Sequence, residues 1–218
     1  MSSNEDKTPA TQIISPSLSL PSSSTTSSPR YDEPLKYFTS KPWCNKLLTQ
    51  PDTHIFLPQC RNPLTERQDQ FFTTTLGAPG GMGHMLCFFA HPASSLRDPK
   101  TPITKVHTLY SIGEKLTGIS GILHGGVTLA FVDEAMSQVV ELNSALGKEG
   151  ATWTNTSVTG TLECKFLKGI PAEGVLLATA WLEGTERRKS FIRCEVVNED
   201  GEKLASVKSV WVSLLPNL

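Results

Sequence analysis

Residues 125–143 limit what this chain can fold into more than any other stretch. GGVTLAFVDEAMSQVVELN spreads Val127, Leu129, Ala130, Phe131, Val132, Ala135, Met136, Val139, Val140 and Leu142 over almost every face of a helix. A helix that is apolar all round is a buried helix, not a surface one. Something must wrap it, and 218 residues are enough to build one good core around it with an appended tail.

The flanking segments read as the wrapping. MLCFFAH (85–91) is a short apolar run, and TKVHTLYSI (104–112) alternates in the period of a strand. After the helix come four more strand patterns, at 154–169, 174–184, 190–200 and 202–215, the last two joined through NEDGE, whose Asp-Gly marks a hairpin. Two strands, one long helix and four antiparallel strands make an α+β layout, not the alternating βαβ rhythm of a parallel sheet.

Residues 1–30 contain SPSLSLPSSSTTSSP, a Ser/Thr/Pro-rich tract with too few large apolar groups to offset its ordering entropy, and are expected to be a disordered tail. Residues 31–84 read as a helical and irregular extension. In it Leu35, Phe38, Trp43, Leu47 and Leu48 suffice to dock on a core, and Asn62-Pro63 is a fair helix start. LGAPGGMGH (76–84) carries no phosphate-loop spacing and is expected to be a flexible connector or a lid. Residues 85–218 are then the folded domain.

The net charge of -1 argues against a nucleic-acid footprint or a polybasic membrane patch, and no apolar run is long enough to span a membrane. Cys44, Cys60, Cys87, Cys164 and Cys194 are scattered without a C-x-x-C pair and read as reduced thiols. His84, His91 and His107 have no carboxylate at metal-ligand spacing, so neither a metal nor a cofactor is expected. With neither a signal-peptide core nor an Arg-rich leader at the start, the expected compartment is the cytosol, with mitochondria as the alternative.

The polar residues of the helix are informative. Glu134, Gln138 and Glu141 form one narrow stripe, whereas Asp133 lies about 100° away, on the face of Leu129, Ala130, Met136 and Val140, with Ser137 one turn on. A lone carboxylate on an apolar face costs several kcal/mol unless something satisfies or uses it. His124-Gly125-Gly126 opens the same helix, where free backbone N–H groups and the positive dipole end make an anion-receptive spot. Together these are two halves of acyl-transfer chemistry, one polarising a carbonyl oxygen and the other activating water or attacking. Gly125 and Asp133 lie about 12 Å apart along one helix at ~1.5 Å per residue, so one carbonyl does not meet both within a protomer. A two-fold dimer, with the helix start of one chain facing Asp133 of the other, resolves the spacing.

On GILHGGVTLAFVDEA, with an acid nine residues after the histidine, and on TLECKFLKGIPAEG downstream, the chain resembles the PaaI-type hotdog-fold thioesterases of the acyl-CoA thioesterase superfamily. The resemblance covers about residues 85–215. It implies a curved antiparallel sheet wrapped around the helix, working as a homodimer or a dimer of dimers, and an acyl-CoA thioester as substrate. It carries the carbonyl-holding N–H to Gly125 and the general base or nucleophile to Asp133, with His124 and Gly126 supporting. The hydroxyl that orients water maps to Thr159 or to Ser137, and the resemblance leaves that choice open. Glu134, directly after Asp133, makes a second acid available; offset and apolar surroundings favour Asp133.

Arg187, Arg188 and Lys189 precede a strand and read equally as a solvated turn or as a contact for coenzyme A phosphates. A hotdog dehydratase or carrier-protein thioesterase is the alternative enzyme, and a non-catalytic acyl-binding scaffold the alternative of another class. No G-x-S-x-G elbow supports an α/β-hydrolase route.

Overall fold

A computed structural model describes residues 13–14, 29–63 and 69–214. Its elements are β1 (Ile13–Ile14), α1 (Pro29–Thr39), α2 (Pro42–Leu48), β2 (Thr53–Phe56), β3 (Met82–Ala90), β4 (Lys105–Ile112), β5 (Thr117–Ile119) and β6 (Ile122–Leu123). There follow α3 (Gly125–Ala145), β7 (Ser157–Phe166), β8 (Gly174–Glu186), β9 (Lys189–Val197) and β10 (Lys203–Ser213). Most of the tail expected to be disordered, and residues 64–68 of the helix expected after Pro63, lie outside the described residues. The helical turn that does form there is a single π-type turn at Phe71–Thr75. Among the described residues no helix is long and apolar enough to cross a membrane.

One sheet of order β1-β2-β3-β4-β8-β9-β10-β7 wraps α3, antiparallel throughout except for β1 beside β2. This is the hotdog architecture expected from the sequence. Alternation along the strands explains how the helix is enclosed. Met85, Cys87 and Phe89 of β3 and Leu176, Ala178 and Ala180 of β8 join Phe131, Val132, Ala135, Met136, Val139 and Val140 in the inner core. The intervening Leu86, Phe88, Leu109 and Leu177 face the other way, onto Tyr31, Phe38, Cys44 and Leu48 of α1 and α2. That second layer is why Met85–Phe89 are apolar without a break: a strand buried on both faces has no polar side to show.

Two clamps fix α3 in the sheet. Tyr110 stacks on Phe131 with ring centroids 4.5 Å apart and donates its hydroxyl to the Phe131 carbonyl at 2.7 Å. Toward the far end, Asn143 exchanges side-chain hydrogen bonds of 2.8 Å with both the N–H and the C=O of Ile103.

Two readings of the sequence change. Residues 53–56 add a strand where only an irregular and helical extension was expected. The glycine-rich stretch is a close-packed turn rather than a loose connector or lid: a Cβ on Gly77 would stand 2.4 Å from the Thr73 carbonyl oxygen, and one on Gly81 2.2 Å from that of Leu76. The glycines are there because backbone passes against backbone, which feeds Met82 directly into β3.

Candidate active site

His124 is the N-cap of α3, extended at φ -62 and ψ 131, and its Nδ1 accepts a hydrogen bond from the Gly126 N–H at 2.9 Å. The His124 N–H in turn donates to the Leu116 carbonyl at 2.8 Å. The imidazole is thereby committed to holding the turn. Gly126 is committed as well, while among the described residues nothing accepts from the Gly125 N–H. The helix start thus presents one free amide at its positive end. The Phe166 ring, at the end of β7, comes within 3.5 Å of where a Cβ on Gly125 would stand.

Two turns along the helix, Asp133 is half-buried, and its Oδ1 accepts a hydrogen bond from the Thr159 hydroxyl at 2.7 Å. Burial pushes its carboxyl above the ordinary range, and the Thr159 bond pulls it part of the way back. Ser137 is turned elsewhere: its hydroxyl donates to the Glu134 carbonyl at 2.8 Å and accepts from the Gln138 amide at 3.1 Å. Of the two hydroxyls drawn from the sequence, Thr159 is the one at the carboxylate. Ser137 is displaced because a helical serine has its own preceding turn as the nearest acceptor.

The Glu134–Gln138–Glu141 stripe is no solvent face. Gln138 is only 1% exposed, and its amide donates to Glu134 at 2.8 Å and Glu141 at 3.3 Å. Burial, reinforced by the nearby charge of Glu141 and more weakly by Asp69 and Asp133, pushes Glu134 up to about 8, while a bond from Cys60 opposes the rise. At pH 7 Glu134 therefore holds its proton, and the two adjacent acids separate into an ionisable Asp133 and a neutral Glu134. The i, i+4, i+7 spacing was the sequence signal for this cluster; its partners Cys60 and Asp69 come from the extension, out of reach of any local pattern.

A stability consequence follows. The unfolded chain ionises Glu134 near pH 4.3, but the folded chain only near 8. Between those values the folded state holds the extra proton and stability falls as pH rises. Glu134→Gln should abolish that slope: its Tm should match wild type near pH 5 and exceed it at pH 8 by something on the order of 5 °C. A constant Tm difference across this range would contradict the assignment. The same variant should keep most of any turnover that depends on Asp133.

The basic turn joins β8 to β9 through Arg187 and Arg188 alone, since Glu186 pairs with Lys189. Arg187 takes the left-handed conformation at φ 54, and Arg188 donates to the Ser213 carbonyl at 2.9 Å. Ser213 pairs with Ser157, so the turn sits at the Thr159 end of β7, opposite the Phe166 end.

The thioesterase superfamily model matches residues 120–205, from the turn before His124 to the start of β10. The chain is 25% identical over 169 residues to verlamelin biosynthesis protein B of Lecanicillium sp., covering 67% of this chain and 73% of that one. It is 28% identical over 141 residues to the acyl-coenzyme A thioesterase THEM4 of Bos taurus, covering 65% and 50% respectively. Among solved structures, the E. coli PaaI protein from the phenylacetic acid degradation operon overlays with a TM-score of 0.43 at 16% identity, covering 51% of this chain and 73% of that one. The helix start with its free amide, the carboxylate on α3 and the strands that follow are the part of the chain that the family model spans. Over that span the chain is similar to the thioesterase superfamily.

Proposed function

We propose that the protein hydrolyses acyl-CoA thioesters at a site assembled from two copies of the chain. The observation that carries this reading is a carboxylate held by a hydroxyl at 2.7 Å on the same helix whose start offers an uncommitted amide. Water is deprotonated by Asp133 as its oxygen attacks the thioester carbon. The Gly125 N–H receives the oxygen that becomes negative. The C–S bond then breaks, and the departing thiolate of coenzyme A takes up the proton, leaving the free acid. Direct attack by Asp133, through a mixed anhydride that water then opens, uses the same two groups. Arg187, Arg188 and Lys189 suit the phosphates of coenzyme A.

The two-copy arrangement is supported by the sheet. β7 is its outer strand, and its outer edge has no neighbour among the described residues. Phe166 at one end lies against Gly125, and Thr159 near the other end bonds Asp133. A two-fold axis near Leu162 that pairs β7 with its copy in antiparallel fashion lays Phe166 of one chain beside Val158 of the other. Gly125 of one copy is thereby brought to Asp133 of its partner, closing the gap of about 12 Å that separates them along one helix. Assembly over the outer face of β2, β3, β4 and β8 is blocked by α1 and α2, which favours a dimer over a dimer of dimers built through that face.

An acyl-CoA panel with a thiol-detecting reagent tests the reaction. Release of free thiol from coenzyme A thioesters is the expected result. Release only from carrier-protein thioesters would move the reading to the carrier-linked alternative, which suits the biosynthetic name of the Lecanicillium relative. Binding without release would make the chain an acyl-binding scaffold.

A further inference from the structure

β7 does not run regularly beside β10. Thr161 pairs with Val210 and Thr159 with Trp211, so Gly160 stands unpaired between them, two residues of β7 against one of β10. Burial follows the same break. Leu162 and Cys164 pack against the inner core and Thr159 is half-buried, while Gly160 and Thr161 are exposed in succession. Counting back from Leu162 in an unbroken alternation, the inward places fall on Gly160 and Val158, and Thr159 points away from α3.

We infer that Gly160 is a positioning residue of this site: the bulge it makes in β7 is what turns the Thr159 hydroxyl onto Asp133. The inference rests on the proposed role of Asp133 and adds to it the residue that aims its partner. A bulge inserts one residue, bends the strand and re-aims a side chain, and this one does so two places before Leu162 resumes the ordinary pattern. Glycine is favoured for space. A Cβ at this position would stand 3.1 Å from both the Val210 carbonyl oxygen and Val212 Cγ2. The first of these is backbone of β10 and cannot yield without disturbing the ladder, and a side chain branched at Cβ adds further atoms to the same gap. With valine at 160 the bulge is squeezed out, and the strand ahead of it slips into the regular alternation. Removing residue 160 altogether has the opposite effect: Thr161–Val210 and Thr159–Trp211 become consecutive pairs and Thr159 keeps its facing.

Three proteins and their double variants decide the matter. Thr159→Ala should lower kcat by about tenfold or more with little change in KM, as expected for losing a hydrogen bond to a charged group. Because that bond favours the ionised Asp133, its loss should also move the acid limb of the pH–rate profile to higher pH. Gly160→Val should reproduce both the kcat loss and the shifted limb, and adding Thr159→Ala to it should cost nothing more. The protein lacking residue 160 should still lose the full Thr159→Ala factor, whatever its own turnover. Near-ultraviolet circular dichroism and Tm verify folding in each case, and if Gly160→Val does not fold, Gly160→Ala and the deletion carry the test. The inference is overturned if Thr159→Ala costs the same factor with valine at 160 as with glycine, or if the deletion abolishes that factor. A Thr159→Ala protein with wild-type kcat and pH profile would overturn both the bulge inference and the role given to Thr159. Loss of activity in Asp133→Asn with no effect of Thr159→Ala would leave the carboxylate's role standing alone.

Discussion

Asp133→Asn should lower kcat for thioester hydrolysis by about 10³-fold, within the range that a positioned general base contributes, without lowering Tm. Asparagine keeps the shape of the side chain, and its carbonyl oxygen still accepts the Thr159 hydroxyl that Asp133 accepts at 2.7 Å. Burial raises the Asp133 carboxyl in the folded chain, so its ionised form is held at some cost and the neutral amide removes that cost. Turnover and stability should therefore part company, which a structural role for Asp133 does not allow. Glu134 cannot fill in: burial and Glu141 keep it protonated at neutral pH, with its oxygen engaged by Gln138. Steady-state kinetics with a thiol reagent, paired with a melting curve at pH 7, reads both quantities. Near wild-type turnover would remove Asp133 from the mechanism.

Gly125→Pro should cost about 10²- to 10³-fold in kcat, the loss measured when a single oxyanion donor is removed. The substitution is an unusually clean deletion of one N–H. Position 125 is the first residue of α3, where proline is favoured because that N–H has no helical acceptor. The preceding His124 already has the extended backbone that a residue before proline adopts. Gly125→Ala is the control: it keeps the N–H, and its Cβ meets Phe166 at 3.5 Å, ordinary contact distance. A large loss with proline and a small one with alanine assigns the effect to the amide. Equal losses would assign it to crowding against Phe166.

What the sequence discloses, and what it does not, divides by distance along the chain. α3 is read as 125–143 and found at Gly125–Ala145, because an apolar helix with a cap residue and two glycines at its start is a local signal. The four later strands and the β9–β10 hairpin are equally local: Gly201 takes the left-handed conformation, at φ 75, that the Asp-Gly pair promises. β2 is invisible because it is short and its partner β3 begins 26 residues after its last residue. The hydrogen bond from Thr159 to Asp133 comes beside an unpaired Gly160 that no hydrophobic period records, and Ser137 is drawn instead to the Glu134 carbonyl of its own helix. A turn at Arg187–Lys189 is one of the two readings the sequence offers, but its two-residue length is not announced, since an arginine stands in a left-handed position that favours glycine or asparagine.

The central claim is that each site joins Asp133 of one copy to Gly125 of another, and mixing two inactive proteins tests it directly. Asp133→Asn and Gly125→Pro are to be unfolded together in equal amounts, refolded so that protomers exchange, and assayed for thiol release. A site spanning two copies leaves every mixed dimer with one intact pair and one doubly damaged pair. Random exchange then restores about a quarter of the wild-type activity per protomer from two inactive parents. A site contained within one chain has no intact pair in any combination, and activity no greater than the sum of the parents would contradict the two-copy site.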